Sequence, residues 1–374
     1  MRTFVLMLAI AGTTALAFSA RRVTVDQLDH LLAAGQGKPD REIARQLSDL
    51  ELTERLSTTA LSHCDAALPG PESRQALTAL AAQSAFLDLP VAELPTTPAP
   101  DIPTQRRIMA AVIDYAAKML SRLPNFFATR VITRFEDSPR RYENARTSFT
   151  PYQPVHRVGQ SSDTVLFRDG NETVDAENSK HKKLAEPRGL VTRGVFGPIL
   201  GTVLVDAAQG TLVWSHWEPG DTGPLAVFRY AVPTGKSHYA VEYCCLDRSG
   251  GSFGPQDLFH TLAGYHGEIA VDPASGTILR LTLQANLKAD EPIVSAGIVV
   301  EYGPVEIGGK TYTCPLKSVS LLRVWTAQTF SNLPSPIDSS PRTLAGDQQL
   351  LLNDVAFERY HLFRAEARVL PNSN

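Results

Sequence analysis

The hydrophobic period of this chain changes once, and that change limits what it can fold into. Between about Thr104 and Arg122 apolar residues recur at helical spacing, so that Ile108, Val112, Tyr115, Met119, Leu120 and Leu123 line one face. Leu123-Pro124-Asn125 ends this pattern, and beyond it the period is two. Phe127, Val131 and Phe135 share one strand face, with Thr129 and Thr133 between them, and Arg130 and Arg134 lie on the other.

The period of two persists almost to the end of the chain. Thr164 to Val174 reads as a hairpin around Asp169-Gly170-Asn171. Strands are expected at 211–217, 225–232, 238–246, 265–271 and 277–285, the last two joined by a turn at Asp272-Pro273-Ala274-Ser275-Gly276. In 277–285, Leu279, Leu281, Leu283 and Ala285 point one way, and Ile278, Arg280, Thr282 and Gln284 the other. Residues 298–307 and 310–314 flank Gly308-Gly309, 319–324 continues, and 357–367 is expected to close the sheet. Phe196 to Ala208 reads as a helix crossing the sheet, and 138–160 and 326–350 read as long polar loops. Adjacent strands joined by short turns predict an antiparallel sheet with alternating faces.

Ahead of the helix lies a different texture. Residues 21–94 predict a small helical module. Thr24 and Gln27 stand at capping-box spacing before Leu28, Leu31 and Leu32. A second helix is expected near Asp40 with Ile43, Leu47 and Leu50 on one face, a third from Leu52-Thr53-Glu54-Arg55-Leu56-Ser57, and a fourth over 73–86 after Pro69-Gly70-Pro71. Pro95, Pro98, Pro100 and Pro103 make 95–103 an extended linker. The predicted organisation is a signal peptide at 1–20, a helical module at 21–94, the linker, and a β domain with covering helices at 104–374.

The first twenty residues have the layout of a secretory signal. Met1-Arg2 is followed by an apolar stretch from Phe4 to Ala11, then by small residues through Ala15-Leu16-Ala17 to Ser19-Ala20. Cleavage after Ala17, Ser19 or Ala20 is expected to release a periplasmic or secreted protein. At −3 the formal charge gives no basic field for nucleic acid, and 43% hydrophobic residues suffice for a full core. In an oxidising compartment Cys314 is expected to pair with Cys244 or Cys245, if any bridge forms; Cys64 is the fourth cysteine.

Motifs for chemistry are sparse. His216 and Glu218 share a strand face, but spacing fixes no third group beside them. His260, His266 and Glu268 lack the close spacing of a zinc site and are interrupted by Gly264 and Gly267. There is no Gly-x-Ser-x-Gly elbow, no Gly-x-Gly-x-x-Gly and no Walker loop. No catalytic residue, metal ligand or cofactor is therefore assigned. Lys180-His181-Lys182-Lys183 reads as a solvated loop, and Gly250 to Pro255 precedes no phosphate-binding helix.

The stretch from about Thr104 to Arg364 resembles the outer-membrane lipoprotein-carrier (LolA-like) fold group. The resemblance rests on the helix leading into Asn125-Phe126-Phe127-Ala128-Thr129-Arg130-Val131 and on the hairpin Gly267-Glu268-Ile269-Ala270-Val271-Asp272 with Gly276-Thr277-Ile278-Leu279-Arg280-Leu281. Tyr302-Gly303-Pro304-Val305-Glu306-Ile307-Gly308-Gly309-Lys310-Thr311-Tyr312, then Pro315, completes it. The whole chain is also similar to exported bacterial proteins that carry Leu-Thr-Glu-Arg-Leu-Ser helices before such a β region. The resemblance implies an α+β fold: a curved antiparallel half-barrel with helices on its concave face, holding acyl chains in the concavity. Leu279, Leu281, Leu283, Phe127 and Val131 are the expected apolar ligand face, and Arg280, Thr282 and Gln284 are expected on a polar convex side. The expected function is non-enzymatic binding of a lipid, an acylated protein or another amphiphile. An envelope scaffold that takes a partner through the N-terminal helices, and a secreted hydrolase, are the alternatives.

Overall fold

A computed structural model of the protein describes residues 20–139, 141–144, 148–174, 195–246, 257–289, 291–325 and 348–363. The expected signal segment up to residue 19, the basic cluster at 180–183, the Gly-rich stretch at 250–255 and most of the 326–350 loop lie outside these residues.

The N-terminal module is helical but stitched by two short strands. β1 (Arg21–Val23) lies parallel to β2 (Leu50–Leu52), with α1 (Val25–Ala34) and α2 (Asp40–Ser48) between them in sequence, and α3 (Thr58–Ala66) and α4 (Pro71–Ser84) following. Thr24 and Gln27 form the capping box: Thr24 Oγ1 accepts from Gln27 N at 3.2 Å, and Thr24 N donates to Gln27 Oε1 at 3.1 Å. Asp40 caps a helix other than its own, accepting from Glu72 N and Ser73 N at 2.9 Å each. Hydrogen bonding from Ser73 holds its carboxyl below the ordinary value. Two expectations are corrected here. Leu50 is in β2 instead of extending α2, and 52–57 is not a helix, because Ser57 is the N-cap that starts α3 at Thr58. Alternation (Leu50 and Leu52 buried, Glu51 exposed) fits a strand as well as a helix, and pairing with β1 decides it.

α5 (Ile102–Arg122) begins at Asp101, whose side chain accepts from Thr104 N at 2.9 Å. The strands are β3 (Phe126–Ser138), β4 (Arg141–Asn144), β5 (Ser148–Thr150), β6 (Gln153–Arg168) and β7 (Asn171–Val174). After α6 (Pro198–Ala207) come β8 (Thr211–Glu218), β9 (Leu225–Val232), β10 (Ala240–Leu246) and β11 (Asp257–Leu262). The last are β12 (Gly264–Val271), β13 (Ile278–Asn286), β14 (Ile293–Ile307), β15 (Lys310–Trp325) and β16 (Gln348–Leu362). Ten of them form one open antiparallel sheet in the order β7-β6-β3-β16-β15-β14-β13-β12-β9-β8, and β4–β5 and β10–β11 are separate pairs.

The expected strand at 238–246 thus leaves the main sheet, and the last strand does not close it: β16 is inserted between β3 and β15. Much of the expected loop at 138–160 is strand, since β6 starts at Gln153. The turns follow their residues. Asp169 and Gly170 have φ of 51° and 81° between β6 and β7, and Gly308 and Gly309 have 61° and 79° between β14 and β15.

The sheet is an α+β half-barrel with α5 and α6 on its concave face. One core joins Ile108, Val112 and Met119 of α5 and Ile199, Leu200 and Val203 of α6 to Phe126, Val165, Leu281, Leu283, Val300 and Phe357 of the sheet. Phe196, just before α6, packs on Phe126, Phe167 and Phe357, while Asp206 near its end accepts from Tyr265. Phe167 (β6) and Tyr265 (β12) lie six steps apart in the sheet, about 29 Å along a flat one at ~4.8 Å per strand. Residues 198–206 span about 12 Å as helix, and Phe196 and Gly197 add at most about 7 Å, so the chord is shorter than the arc and the sheet curves around α6.

The opposite, convex face is not left to solvent as expected. α4 lays Ala79 and Ala82 on Phe135, Val155, Val319, Leu350 and Leu352. Arg280 and Thr282 are buried. Residues 85–101 then pass the β8 edge, where Trp217 Nε1 donates to Pro98 O at 2.9 Å, and deliver the chain to the concave side as α5. Among the described residues no helix is long and apolar enough to cross a membrane.

Candidate functional site

The concave face holds two apolar patches separated by a polar row. The larger patch is the α5/α6 core. The smaller lies where β10–β11 folds over Ile293, Ala296, Leu322, Val324 and Leu351, contributing Val241 and Tyr243. Register aligns Ala296 with Leu322 and Leu322 with Leu351 in this patch, and Val300 with Ser318, Ser318 with Val355 and Val355 with Ile132 at the edge of the other. Between them runs Ile298–Ser320–Asn353–Arg134, one residue from each of β14, β15, β16 and β3. Ser318, Ser320 and Asn353 are all buried.

Arg134 and Arg130 belong to this concave face, because they lie at even spacing from Phe126, Ala128 and Ile132 of the core. Arg130 Nη2 reaches Asp163 Oδ2 at 3.3 Å, and Arg134 Nη2 donates to Ser161 Oγ at 3.2 Å. The Nε of both arginines and the Ser318 hydroxyl are buried without a hydrogen-bond partner among the described residues. Burying polar groups unpaired is costly, so Arg134 in the row, with Ser318 and Arg130 beside it in the larger patch, marks this strip as a candidate binding surface.

The sequence-derived ligand face is divided. Leu281 and Leu283 are in the concave core with the helices. Leu279 is half-buried at a bulge, since Val271 pairs with Ile278 and Ala270 with Arg280; Ile278 takes its place in the core. Phe127 and Val131 alternate with the concave residues and so lie on the convex face, where Phe127 packs on Phe363 with ring centroids 5.2 Å apart. The alternation of β3 was legible, but which of its faces meets α5 was not, because that face carries the two arginines.

Cys314 is a free, buried thiol in the main core, and burial pushes its pKa up to about 12. The expected bridge to Cys244 or Cys245 is therefore not formed. Their strand, β10, pairs with β11 and meets β15 near Leu322, eight residues or about 26 Å along the strand from Cys314. Cys64 is also free and buried, with its pKa raised to about 11 by burial and by Asp29.

Two other clusters hold titratable groups. His216 and Glu218 share a face and bond at 3.0 Å, and the partners that spacing could not supply come from elsewhere. Arg55 of the N-terminal module and Arg280 of β13 reach Glu218 Oε1 at 2.7 and 2.6 Å. Burial raises the Glu218 pKa, but His216 and Arg55 outweigh it and hold the carboxyl below its ordinary value. The hydrogen bond to Glu218 raises the pKa of His216 in turn. Glu268 lies 3.8 Å from Arg280 and 2.8 Å from Arg229, which also approaches Asp88 at 3.5 Å. This network fastens the module to the sheet.

At the far end of α6, fully buried Asp206 accepts from His238 Nδ1 at 2.6 Å, His238 N at 2.9 Å and Tyr265 OH at 2.8 Å. Burial raises its pKa, yet these bonds leave it below the ordinary value. The geometry resembles half of a triad, but Ser237 Oγ donates to Ala263 O and Tyr265 OH to the carboxylate, so neither hydroxyl addresses the imidazole. His260 approaches Glu242 and His266 bonds Asn286, on different strand pairs; among the described residues no group of three or more His, Cys, Asp or Glu could hold a metal. Set against protein-family models, curated proteins and solved structures, the chain matches none of them.

Proposed function

We propose that this chain is an exported cell-envelope protein that binds an amphiphile (a lipid, an acylated protein or a similar molecule) in the concavity of its sheet, without catalysing a reaction. The observation that carries this reading is the polar row of buried Ser320 and Asn353 and half-buried Arg134, with apolar surface on both sides. An amphiphile divides itself in the same way, with a polar head beside apolar chains, and pockets for such ligands are mostly apolar with a few placed polar groups. The signal-like start and the resemblance to lipoprotein carriers support the same reading. The scaffold alternative draws less support. The module commits Leu28, Ile43, Leu47 and Leu77 to its own core and Ala79 and Ala82 to the sheet.

Photo-crosslinking with a diazirine-bearing palmitate tests the proposal. The expected adducts fall on concave residues of β14 and β15, such as Ile298, Val300 and Leu322. Adducts confined to exposed residues such as Val205 and Val213, or none at all, would overturn it.

A further inference from the structure

Arg134 stands on the concave face of β3, the third strand from the β7 edge of the sheet, with no carboxylate in ion-pair reach among the described residues. Among the described residues its one hydrogen bond is to the Ser161 hydroxyl, and its Nε is buried and unpartnered there. One row away, Ser318 is 1% exposed and its hydroxyl has no partner among the described residues. Arg130, 5% exposed, adds a second guanidinium on the same face, compensated by Asp163 at 3.3 Å but with its own Nε unpartnered. A buried Nε or hydroxyl without a partner is costly, and the planar fork of a guanidinium suits carboxylate and phosphate oxygens. Glu136 follows Arg134 on the same face, about 7 Å along the strand, and repels an anion placed on that side. The favourable position is therefore on the other side, toward Ser318 and Arg130.

We infer that the bound amphiphile carries an acidic headgroup, a phosphate or a carboxylate, seated on Arg134 and the Ser318 hydroxyl, with its chains in the flanking apolar patches. This rests on the amphiphile-binding reading and names the ligand class for that site. The same position is reached by no other charged side chain of the row, since Ser320 and Asn353 are neutral.

Calorimetric titration of the full chain with three probes that share a palmitoyl tail tests it: lysophosphatidic acid, palmitate and zwitterionic lysophosphatidylcholine, with inorganic phosphate as a fourth titrant. The expected result is that at least one acidic probe binds about tenfold more tightly than the zwitterionic one. The larger preference tells phosphate from carboxylate. R134Q is expected to abolish the preference by weakening the acidic probes more than lysophosphatidylcholine, and S318A to reduce it a few-fold. R134K, which keeps the charge and loses the fork, retains part of the preference and serves if R134Q does not fold. Equal binding of all three tailed probes, or an R134Q that keeps the preference, overturns the headgroup inference and leaves amphiphile binding standing. Binding of none of them overturns both. Inorganic phosphate binding as tightly as lysophosphatidic acid identifies an anion site that makes no use of the tail, and overturns the inference too.

Discussion

Glu218 shows how a single carboxylate can hold two parts of a molecule together. It accepts from Arg55 of the N-terminal module, Arg280 of the sheet and its neighbour His216 within 3.0 Å. Removing its charge leaves two guanidiniums buried without their main counter-ion, so E218Q is expected to cost about 3–5 kcal/mol in urea unfolding. The pH dependence follows from the shifts. Glu218 is held below its ordinary value, so its contribution is present above about pH 4.3 and is lost as pH falls through the lower folded value. His216 is held above its ordinary value, so its contribution is complete below about pH 6.5 and is lost as pH rises through the higher folded value. H216Q is therefore expected to flatten the loss of stability above about pH 6.5, measured as unfolding midpoint against pH; an unchanged slope would contradict the assignment. Cys314, free and buried, is expected to resist a thiol reagent in the native protein and to react on unfolding. Fast native labelling would show the core open there. The shared face of His216 and Glu218 was legible from their spacing of two. Arg55 and Arg280 were not, because only the docking of the module brings them within reach.

Among the elements, those with both a period and a boundary signal were legible: α1 with its capping box, α4 after Pro69-Gly70-Pro71, α5, and the two hairpins with left-handed turn residues. Those whose identity depends on a partner were not. Leu50–Leu52 becomes a strand because β1 lies beside it, and β10 leaves the main sheet to pair with β11. The Asp272–Gly276 turn was read correctly, but its contact was hidden: Gly276 has φ of 74°, and a Cβ there would lie 2.4 Å from the Ala111 carbonyl carbon of α5. G276A is expected to destabilise by more than about 1 kcal/mol, through the left-handed backbone and through displacement of α5. A thermal melt within a degree of the parent would mean that α5 is not seated on this turn.

At the scale of the whole molecule, the curved sheet carries helices on both faces. α5 and α6 occupy the concave side, α4 covers part of the convex side, and the linker rounds the β8 edge between them. The antiparallel sheet was legible from the succession of alternating strands, and its curvature with concave helices was what the resemblance to the carrier fold group implied. The helical layer on the convex side was not legible, since Arg280 and Thr282 have the polarity of an exposed face, yet both are buried and Arg280 shares Glu218 with Arg55 of the N-terminal module. The polar row escaped notice for a related reason: Arg134, Asn353 and Ser320 come from three strands, and only register places them side by side. Native mass spectrometry of protein purified from the envelope of its own cells tests amphiphile binding most directly. The expected spectrum shows a bound mass at one per chain that is released on activation and identified as a lipid or acylated species. A spectrum of bare protein alone, unchanged after incubation with lipids extracted from the same envelope, would contradict it.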